Sequence, residues 1–305
     1  MVDKLEKIWM DGELIPWDEA NVHILTHTLH YGVGVFEGIR AYETSDGRSA
    51  VFRLDEHVRR LFDSARICMM PMEFTPEQVV QGCIDTARAS GLKSCYLRPL
   101  AFMGDGAMGL GARTNKTRLA IVAWKWGAYL GEEGIEKGIR AKISSFSRAG
   151  VNQLMAKGKI VGHYVNSILA KREVLQAGYD EAILLDPQGY VCEASGENIF
   201  VVRDGVVSTA PLGSSILGGI TRSTVLRLMR GMGLEVRERL IGRDELYIAD
   251  EVFMVGTAAE VTPVREVDDR IIGNGSRGPI TERVQSRYFA AVRGDCPEEW
   301  LTFVS

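Results

Sequence analysis

Two lysines lie two residues apart in Met155-Ala156-Lys157-Gly158-Lys159-Ile160-Val161-Gly162-His163-Tyr164, just before a helical pattern. Small and apolar neighbours lower the cost of losing the ammonium proton, which makes a lysine a nucleophile. The same local sequence also suits two surface lysines in a loop. Glu193 heads a second segment, Glu193-Ala194-Ser195-Gly196-Glu197-Asn198-Ile199-Phe200, at a strand end. Buried, it could hold a protonated ring nitrogen; exposed, it is a solvated turn acid. A third segment, Leu217-Gly218-Gly219-Ile220-Thr221-Arg222, opens a helix. Its glycines, free amides and hydroxyl suit a phosphate, and Thr221 suits ordinary capping equally well. Gly256-Thr257-Ala258-Ala259 offers a second set of amides and a hydroxyl at a strand end.

Lysine, acid and phosphate cradle are the three groups that pyridoxal phosphate requires. The lysine links to it, the acid keeps its pyridine nitrogen protonated so that the ring accepts electrons, and the helix end holds its phosphate.

Other signals carry less. Gly104-Asp105-Gly106-Ala107-Met108-Gly109 satisfies G-x-G-x-x-G after a strand, but turn-like residues and another strand follow. A dinucleotide site needs a helix there, so a loop approaching a ligand or a neighbouring subunit is expected instead. His23, His27 and His30 lack a nearby Cys or acid to complete a metal site. They read as structural histidines, and no metal is expected. Gly34–Gly38 lacks the Lys-Ser/Thr of a phosphate loop. Cys95, inside a strand, reads as an inert buried thiol.

The elements that must position these groups are mixed. Ala50–Phe52 reads as a strand and Asp55 as the cap of a helix carrying Val58, Leu61, Phe62 and Ala65, with Arg59 and Arg60 beside that stripe. Thr75, Pro76 and Gly91 punctuate a second helix. Strands are expected at Ser94–Met103, Thr117–Trp126, Ile139–Phe146, Glu181–Leu185, Asn198–Val202, Val206–Thr209 and Glu251–Val255. Asp186–Gly189 reads as a turn and Asp204-Gly205 as a hairpin turn. Helices are expected at Tyr164–Ala177, Ile220–Met232 and Glu282–Val292, with Gly178 stopping the first of them. Strands and helices do not alternate regularly, which favours α+β over a doubly wound sheet.

The 305 residues carry 36 Lys+Arg against 40 Asp+Glu, a net charge of −4, which argues against nucleic acid as a partner. No long apolar run or signal-like N-terminus predicts a membrane or secretory role. Five widely spaced cysteines fit a reducing cytoplasm. Glycine is in excess, 33 residues against an average near ~7%. The length favours two domains, read as 1–126 and 139–305 with 127–138 as a linker.

The ordered motifs give a closer resemblance. They are His30-Tyr31-Gly32, Val35-Phe36-Glu37-Gly38-Ile39-Arg40, Tyr96-Leu97-Arg98-Pro99-Leu100, Trp126-Gly127-Ala128-Tyr129 and Lys159 with Gly162 and Tyr164. Beyond these come Glu193 with Gly196-Glu197-Asn198, Gly219-Ile220-Thr221-Arg222, and Ala249–Phe253 running into Gly256–Glu260. From about Ile8 to Val292 the chain resembles the branched-chain amino acid aminotransferases, fold-type IV pyridoxal-phosphate enzymes. The resemblance implies a smaller N-terminal α/β domain and a larger C-terminal one with a barrel-like sheet.

It also implies roles. Lys159, five residues before the tyrosine, carries the cofactor and is the catalytic base and acid. Arg60, immediately before Leu61, binds the phosphate with Gly219, Ile220, Thr221 and Thr257. Tyr164 holds the ring hydroxyl and Glu193 the pyridine nitrogen. Tyr96 and the amides of Thr257 and Ala258 receive the α-carboxylate. Phe36, Gly38, Trp126 and Tyr129 form the apolar pocket, and Tyr31 and Arg98 accept the distal carboxylate of glutamate. An arginine at the rim of an apolar pocket lets one site take both kinds of side chain.

The implied reaction is ping-pong transfer of the amino group from Leu, Ile or Val to 2-oxoglutarate. Tyr31 and the loop Gly104–Gly111 would serve the partner's site, so a homodimer is the minimum and a hexamer of three dimers remains open. D-amino acid aminotransferases, (R)-amine aminotransferases and aminodeoxychorismate lyases would share Lys159, Glu193 and the phosphate cradle. They should differ at Tyr31–Gly38 and Trp126–Tyr129, which here look like the branched-chain type. A non-catalytic cofactor binder is a third reading, opposed by Lys159 together with Tyr164 and Glu193.

Overall fold

The computed structural model describes residues 3–127 and 130–304. Its contacts divide the chain into two units. The first takes the chain up to Trp126, Gly158–His163 and the stretch from Val292; the second takes Gly127–Lys157 and Tyr164–Ala291.

The first unit holds strands β1 (Lys7–Met10), β2 (Glu13–Pro16), β3 (Gly34–Phe36), β4 (Ile39–Glu43), β5 (Ser49–Phe52), β6 (Cys95–Met103), β7 (Thr117–Trp124) and a C-terminal strand, Leu301–Phe303. Their order is C-terminal strand, β5, β4, β6, β7, β1, β2, with β3 also paired to β6. Its helices are α1 (His27–Tyr31), α2 (Leu54–Ile67) and α3 (Pro76–Ala89). Val35, Ile39, Leu54, Leu61, Leu97 and Ile121 belong to its core. Pro99 sits in the central strand β6, where a proline removes a ladder donor. It lies opposite the break between β3 and β4, since Phe36 pairs with Leu100 and Ile39 with Leu97. Glu37 and Gly38 fall between the two strands there, and the Glu37 N–H still donates to Pro99 O at 2.9 Å.

Residues Gly158–His163 join this unit through backbone contacts. Ile160 bridges Val35, and the Gly162 N–H donates to Gly32 O at 3.0 Å. Gly32 ends α1 in the left-handed region, φ 73°. A Cβ on it would stand 3.0 Å from Gly162 Cα, so this approach needs a residue without a side chain.

The second unit holds β8 (Ile139–Ile143), β9 (Glu181–Leu185), β10 (Val191–Ala194), β11 (Asn198–Arg203), β12 (Val206–Thr209), β13 (Val236–Glu238), β14 (Glu251–Gly256), β15 (Glu260–Val267) and β16 (Arg270–Ile271). The path β10-β9-β8-β15-β14-β11 closes on itself because β10 also pairs with β11, at Glu193 and Asn198. Closure gives the barrel-like sheet expected and removes edges from those six strands. Alternate residues Ile199, Val201, Val252 and Met254 share one core cluster. Between them Phe200 and Phe253 stack at 5.0 Å. Helices α4 (Glu132–Lys137), α5 (Tyr164–Gln176), α6 (Ile220–Gly231), α7 (Arg243–Tyr247) and α8 (Pro279–Val292) complete the α+β architecture. Among the described residues no helix is long and apolar enough to cross a membrane.

Several boundaries differ from the sequence expectations for identifiable reasons. Arg53, in the left-handed region at φ 53°, is the cap position of α2, and Asp55 lies in the first turn. The Arg53 N–H is held by Trp300 O at 2.7 Å, a contact no local pattern announces. Residues 127–138 hold a helix, α4, that packs on β15. Helix α8 starts at Pro279, ahead of Glu282. The Glu251 carboxylate accepts from the Ile280 and Thr281 N–H groups and so caps it from a distant strand. Strand β8 ends at Ile143, and no helix opens after Gly104, where the chain runs on to β7.

Candidate active site

In the first unit the expected groups gather around β6. Tyr96 is buried in β6. Its ring lies 4.9 Å from both Trp124 and Trp126. Gly38 is what admits it: a Cβ at Gly38 would fall 1.9 Å from the Tyr96 Oη. Arg98, two residues along the same face, sits over Phe36 at 4.8 Å, Tyr96 at 5.4 Å and Trp124 at 5.5 Å. It donates to the Tyr96 hydroxyl at 3.4 Å. Its Nε is buried with no hydrogen-bond partner among the described residues.

Lys159 is anchored by its backbone. Its N–H donates to Ser64 Oγ at 2.9 Å, and its carbonyl accepts from the Phe36 N–H at 3.1 Å. The Ser64 hydroxyl donates in turn to Arg60 O at 2.8 Å. The Lys159 ammonium lies 4.9 Å from the Phe36 ring centre. Arg60 extends from α2 to a fully buried Glu37, making contacts of 2.7 and 2.8 Å.

Tyr31 ends α1 and is exposed. The helix is tied to the 104–111 loop by His27, whose N–H donates to Gly104 O and whose Nε2 contacts Gly109 O at 3.0 Å. His30 Nε2 contacts Ile24 O at 2.8 Å. Both histidines therefore serve the backbone. Met108 and Leu110 of the loop are exposed.

In the second unit Glu193 is buried at the pair that closes the barrel. One carboxylate oxygen lies 3.0 Å from Arg148 Nε, an ion pair without hydrogen-bond geometry. The other accepts from Asn198 Nδ2 at 3.3 Å and the Leu217 N–H at 3.1 Å. Arg148 is itself fixed by Asn166, Ser167 and the carbonyls of Ala194 and Ser195. Arg148 thus sets a fixed positive charge beside the Glu193 carboxylate.

Helix α6 opens at Gly219, a cap position that carries no side chain. Thr221 is inside the helix, so ordinary capping by Thr221 is not found. A Cβ on Gly219 would fall 2.1 Å from Asn198 Oδ1. Thr257 and Ala258 occupy the turn between β14 and β15. Tyr164 is the first residue of α5. Lys157 donates its ammonium protons to Ser214 O and Ile216 O, at 3.1 and 2.7 Å. Burial pushes its pKa down from the usual lysine value. Tyr129 lies outside the described residues.

The Amino-transferase class IV family matches residues 34–267. The chain belongs to the class IV amino-transferases. This class IV amino-transferase is 50% identical over 306 residues to the branched-chain-amino-acid aminotransferase of Pseudomonas aeruginosa, covering 100% of this chain and 99% of that protein. The crystal structure of the Escherichia coli branched-chain amino acid aminotransferase matches with TM-score 0.96 and 44% identity, over 99% of this chain and 100% of that one. The branched-chain amino acid aminotransferase from Thermobaculum terrenum, in its PLP-form, matches with TM-score 0.92 and 37% identity, over 99% of each chain.

Sequence reading of this class IV amino-transferase missed four supporting residues. Arg148 stands in an irregular segment with no periodic pattern. Ser64 looks like one more polar position of an amphipathic helix. Glu37 and Asn198 were visible only as letters inside motifs. Glu197 is also fully buried in the core; desolvation first, then the charge of Glu181, pushes its pKa up from the usual carboxylate value. Cys95 proves buried as read, and desolvation pushes its thiol up to about 11.

Proposed function

We propose that this chain is a pyridoxal-phosphate-dependent branched-chain-amino-acid aminotransferase. It transfers the amino group of L-leucine, L-isoleucine or L-valine to 2-oxoglutarate. The second unit's donor set suits the cofactor: a buried carboxylate ion-paired with an arginine for a cationic nitrogen, and a helix that opens on a glycine, where a phosphate can approach the backbone. Glu193 would hold the pyridine nitrogen and Tyr164 the ring hydroxyl. Arg60, Gly219, Ile220, Thr221 and Thr257 would bind the phosphate. When bound, the cofactor withdraws electrons from the bonds at the substrate α-carbon.

Lys159 would carry the cofactor. Its Nζ would serve as the general base that takes the substrate α-proton and as the general acid that hands it on. Tyr96, Thr257 and Ala258 would receive the α-carboxylate. Phe36, Gly38, Trp126 and Tyr129 would line the side-chain pocket.

The observation that carries the substrate assignment is Arg98. A guanidinium lying against three aromatic rings, with a buried Nε that has no partner among the described residues, suits a pocket that takes a leucine-like chain or pairs a second carboxylate. The wild-type protein should aminate both 2-oxoglutarate and 4-methyl-2-oxopentanoate. Arg98→Ala should reduce kcat/KM for 2-oxoglutarate about 100-fold and for the branched acid by less than about tenfold, the difference being one charge-assisted pair. Equal loss for both acceptors would overturn the role, and a wild type that uses only one would overturn the assignment.

Gly219→Ala tests the other unit. The added Cβ must displace Asn198, which holds Glu193 and Leu217 O. Losing that buried amide's bonds costs about 1–3 kcal/mol, so affinity for pyridoxal phosphate should fall about tenfold or more. A spectroscopic titration with unchanged affinity would contradict this.

The assembly is proposed to be a homodimer at least, with Tyr31 and the 104–111 loop serving the partner's site. Exposed Leu29, Tyr31, Met108 and Leu110 support an apolar contact there. All five cysteines are free thiols, which supports a cytoplasmic setting.

A further inference from the structure

Glu37 stands between Phe36 and Gly38, two residues assigned to the substrate pocket, yet it is fully buried. Both of its carboxylate oxygens are occupied. Arg60 Nε donates to one at 2.7 Å and Arg60 Nη2 to the other at 2.8 Å. The second oxygen also accepts from His57 Nδ1 at 2.7 Å and from the Gly38 N–H at 3.3 Å. His57 is itself buried. The motif thus contains a carboxylate whose neighbours face chemistry while it faces an arginine.

We propose that Glu37 is a positioning residue that presets the Arg60 guanidinium for the cofactor phosphate, held in place by His57. This rests on the reading of Arg60 as a phosphate arginine given above.

The physical case has three parts. Burial alone pushes the Glu37 carboxyl up, but the charge and hydrogen bonds of Arg60, then those of His57, outweigh it and hold the group well below the usual carboxylate range. Glu37 is therefore ionised. Burial pushes His57 down against the opposing charge of Glu37. A neutral His57 then carries its proton on Nδ1 and donates it. Second, an unfixed arginine loses substantial rotamer freedom when it binds a ligand, and a two-point grip removes that loss beforehand. Third, Glu37 cancels the charge of Arg60, so long-range attraction is not the gain; geometry is. A charge-only role would be better served without Glu37.

The test uses holoenzyme resolved of cofactor and titrated with two probes, pyridoxal phosphate and pyridoxal, which lacks the phosphate. Folding is checked by circular dichroism and thermal melting. Glu37→Gln should weaken pyridoxal phosphate about tenfold or more and leave pyridoxal within about twofold. Arg60→Gln should weaken pyridoxal phosphate at least as much, and Glu37→Gln added to it should weaken it no further.

Equal weakening of both probes by Glu37→Gln would overturn the proposal, since it would mark a general structural role. Unchanged phosphate-probe affinity in Glu37→Gln, with Arg60→Gln impaired, would also overturn it. Unchanged affinity in Arg60→Gln would overturn the reading of Arg60 itself. If Glu37→Gln does not fold, Glu37→Asp gives the same readout. Its shorter side chain keeps the charge but withdraws the grip, so it should still weaken pyridoxal phosphate selectively.

Discussion

Lys159→Ala should erase the visible absorption that lysine-bound pyridoxal phosphate gives the protein. It should lower transamination by at least about 10,000-fold, because under the proposed assignment one amine would serve as covalent attachment, general base and general acid. Lys157→Ala should keep the band. The two lysines are two residues apart, and the structure separates them by what surrounds them. The Lys157 ammonium is engaged by Ser214 O and Ile216 O. Lys159 has its backbone pinned on both sides, by Ser64 and by Phe36. A pinned backbone limits where the amine can swing, which is what an amine acting at two stages of one reaction needs. A band that survives in Lys159→Ala would move the assignment to Lys157.

Gly38→Ala should lower kcat/KM about 100-fold while leaving the cofactor's absorption in place. The Cβ would stand 1.9 Å from the Tyr96 hydroxyl and 2.8 Å from its ring carbon Cζ, distances at which something must move. Tyr96 cannot swing aside cheaply, because Trp124 and Trp126 each lie 4.9 Å from its ring. Gly38 is buried between Glu37 and strand β4, so the backbone also resists. Overpacking of this kind costs about 1–3 kcal/mol, and misplacing the hydroxyl proposed to bind substrate by ~1 Å can cost about 100-fold in rate. Steady-state kinetics and a melting curve together separate the two effects. Unchanged kcat/KM would show that Tyr96 does not position substrate.

The parts of this fold legible in the sequence are those governed by neighbouring residues. Thr75 and Gln78 form the capping box that the Thr-Pro opening of α3 announces. Gly178 and Gly91 lie in the left-handed region where helix stops were read, and Asp204-Gly205 makes the expected hairpin. What stayed hidden depends on distant partners. Arg53 holds the cap position of α2 with its N–H on Trp300 O, and Glu251 caps α8 from another strand. Gly158–His163 contacts Gly32 and Val35, which a linear reading of two consecutive domains cannot anticipate.

The candidate site divides in the same way. Lys159, Glu193 and the Gly219 helix start carry local signatures that suit the cofactor. Arg148 and Ser64 carry none, since a loop arginine and a helix serine are common and only the third dimension brings them to Glu193 and Lys159. The glycine excess acquires meaning at two positions. Gly38 and Gly219 each leave room for a polar side chain, Tyr96 and Asn198, that a Cβ would displace.

The most direct test of the account is an amino-donor panel with 2-oxoglutarate and pyridoxal phosphate, comparing L-leucine, L-isoleucine, L-valine, D-alanine and (R)-1-phenylethylamine. Formation of L-glutamate fastest with the three branched L-amino acids is the predicted result. A preference for D-alanine or the (R)-amine would contradict the branched-chain assignment while leaving the class IV fold and its cofactor chemistry intact.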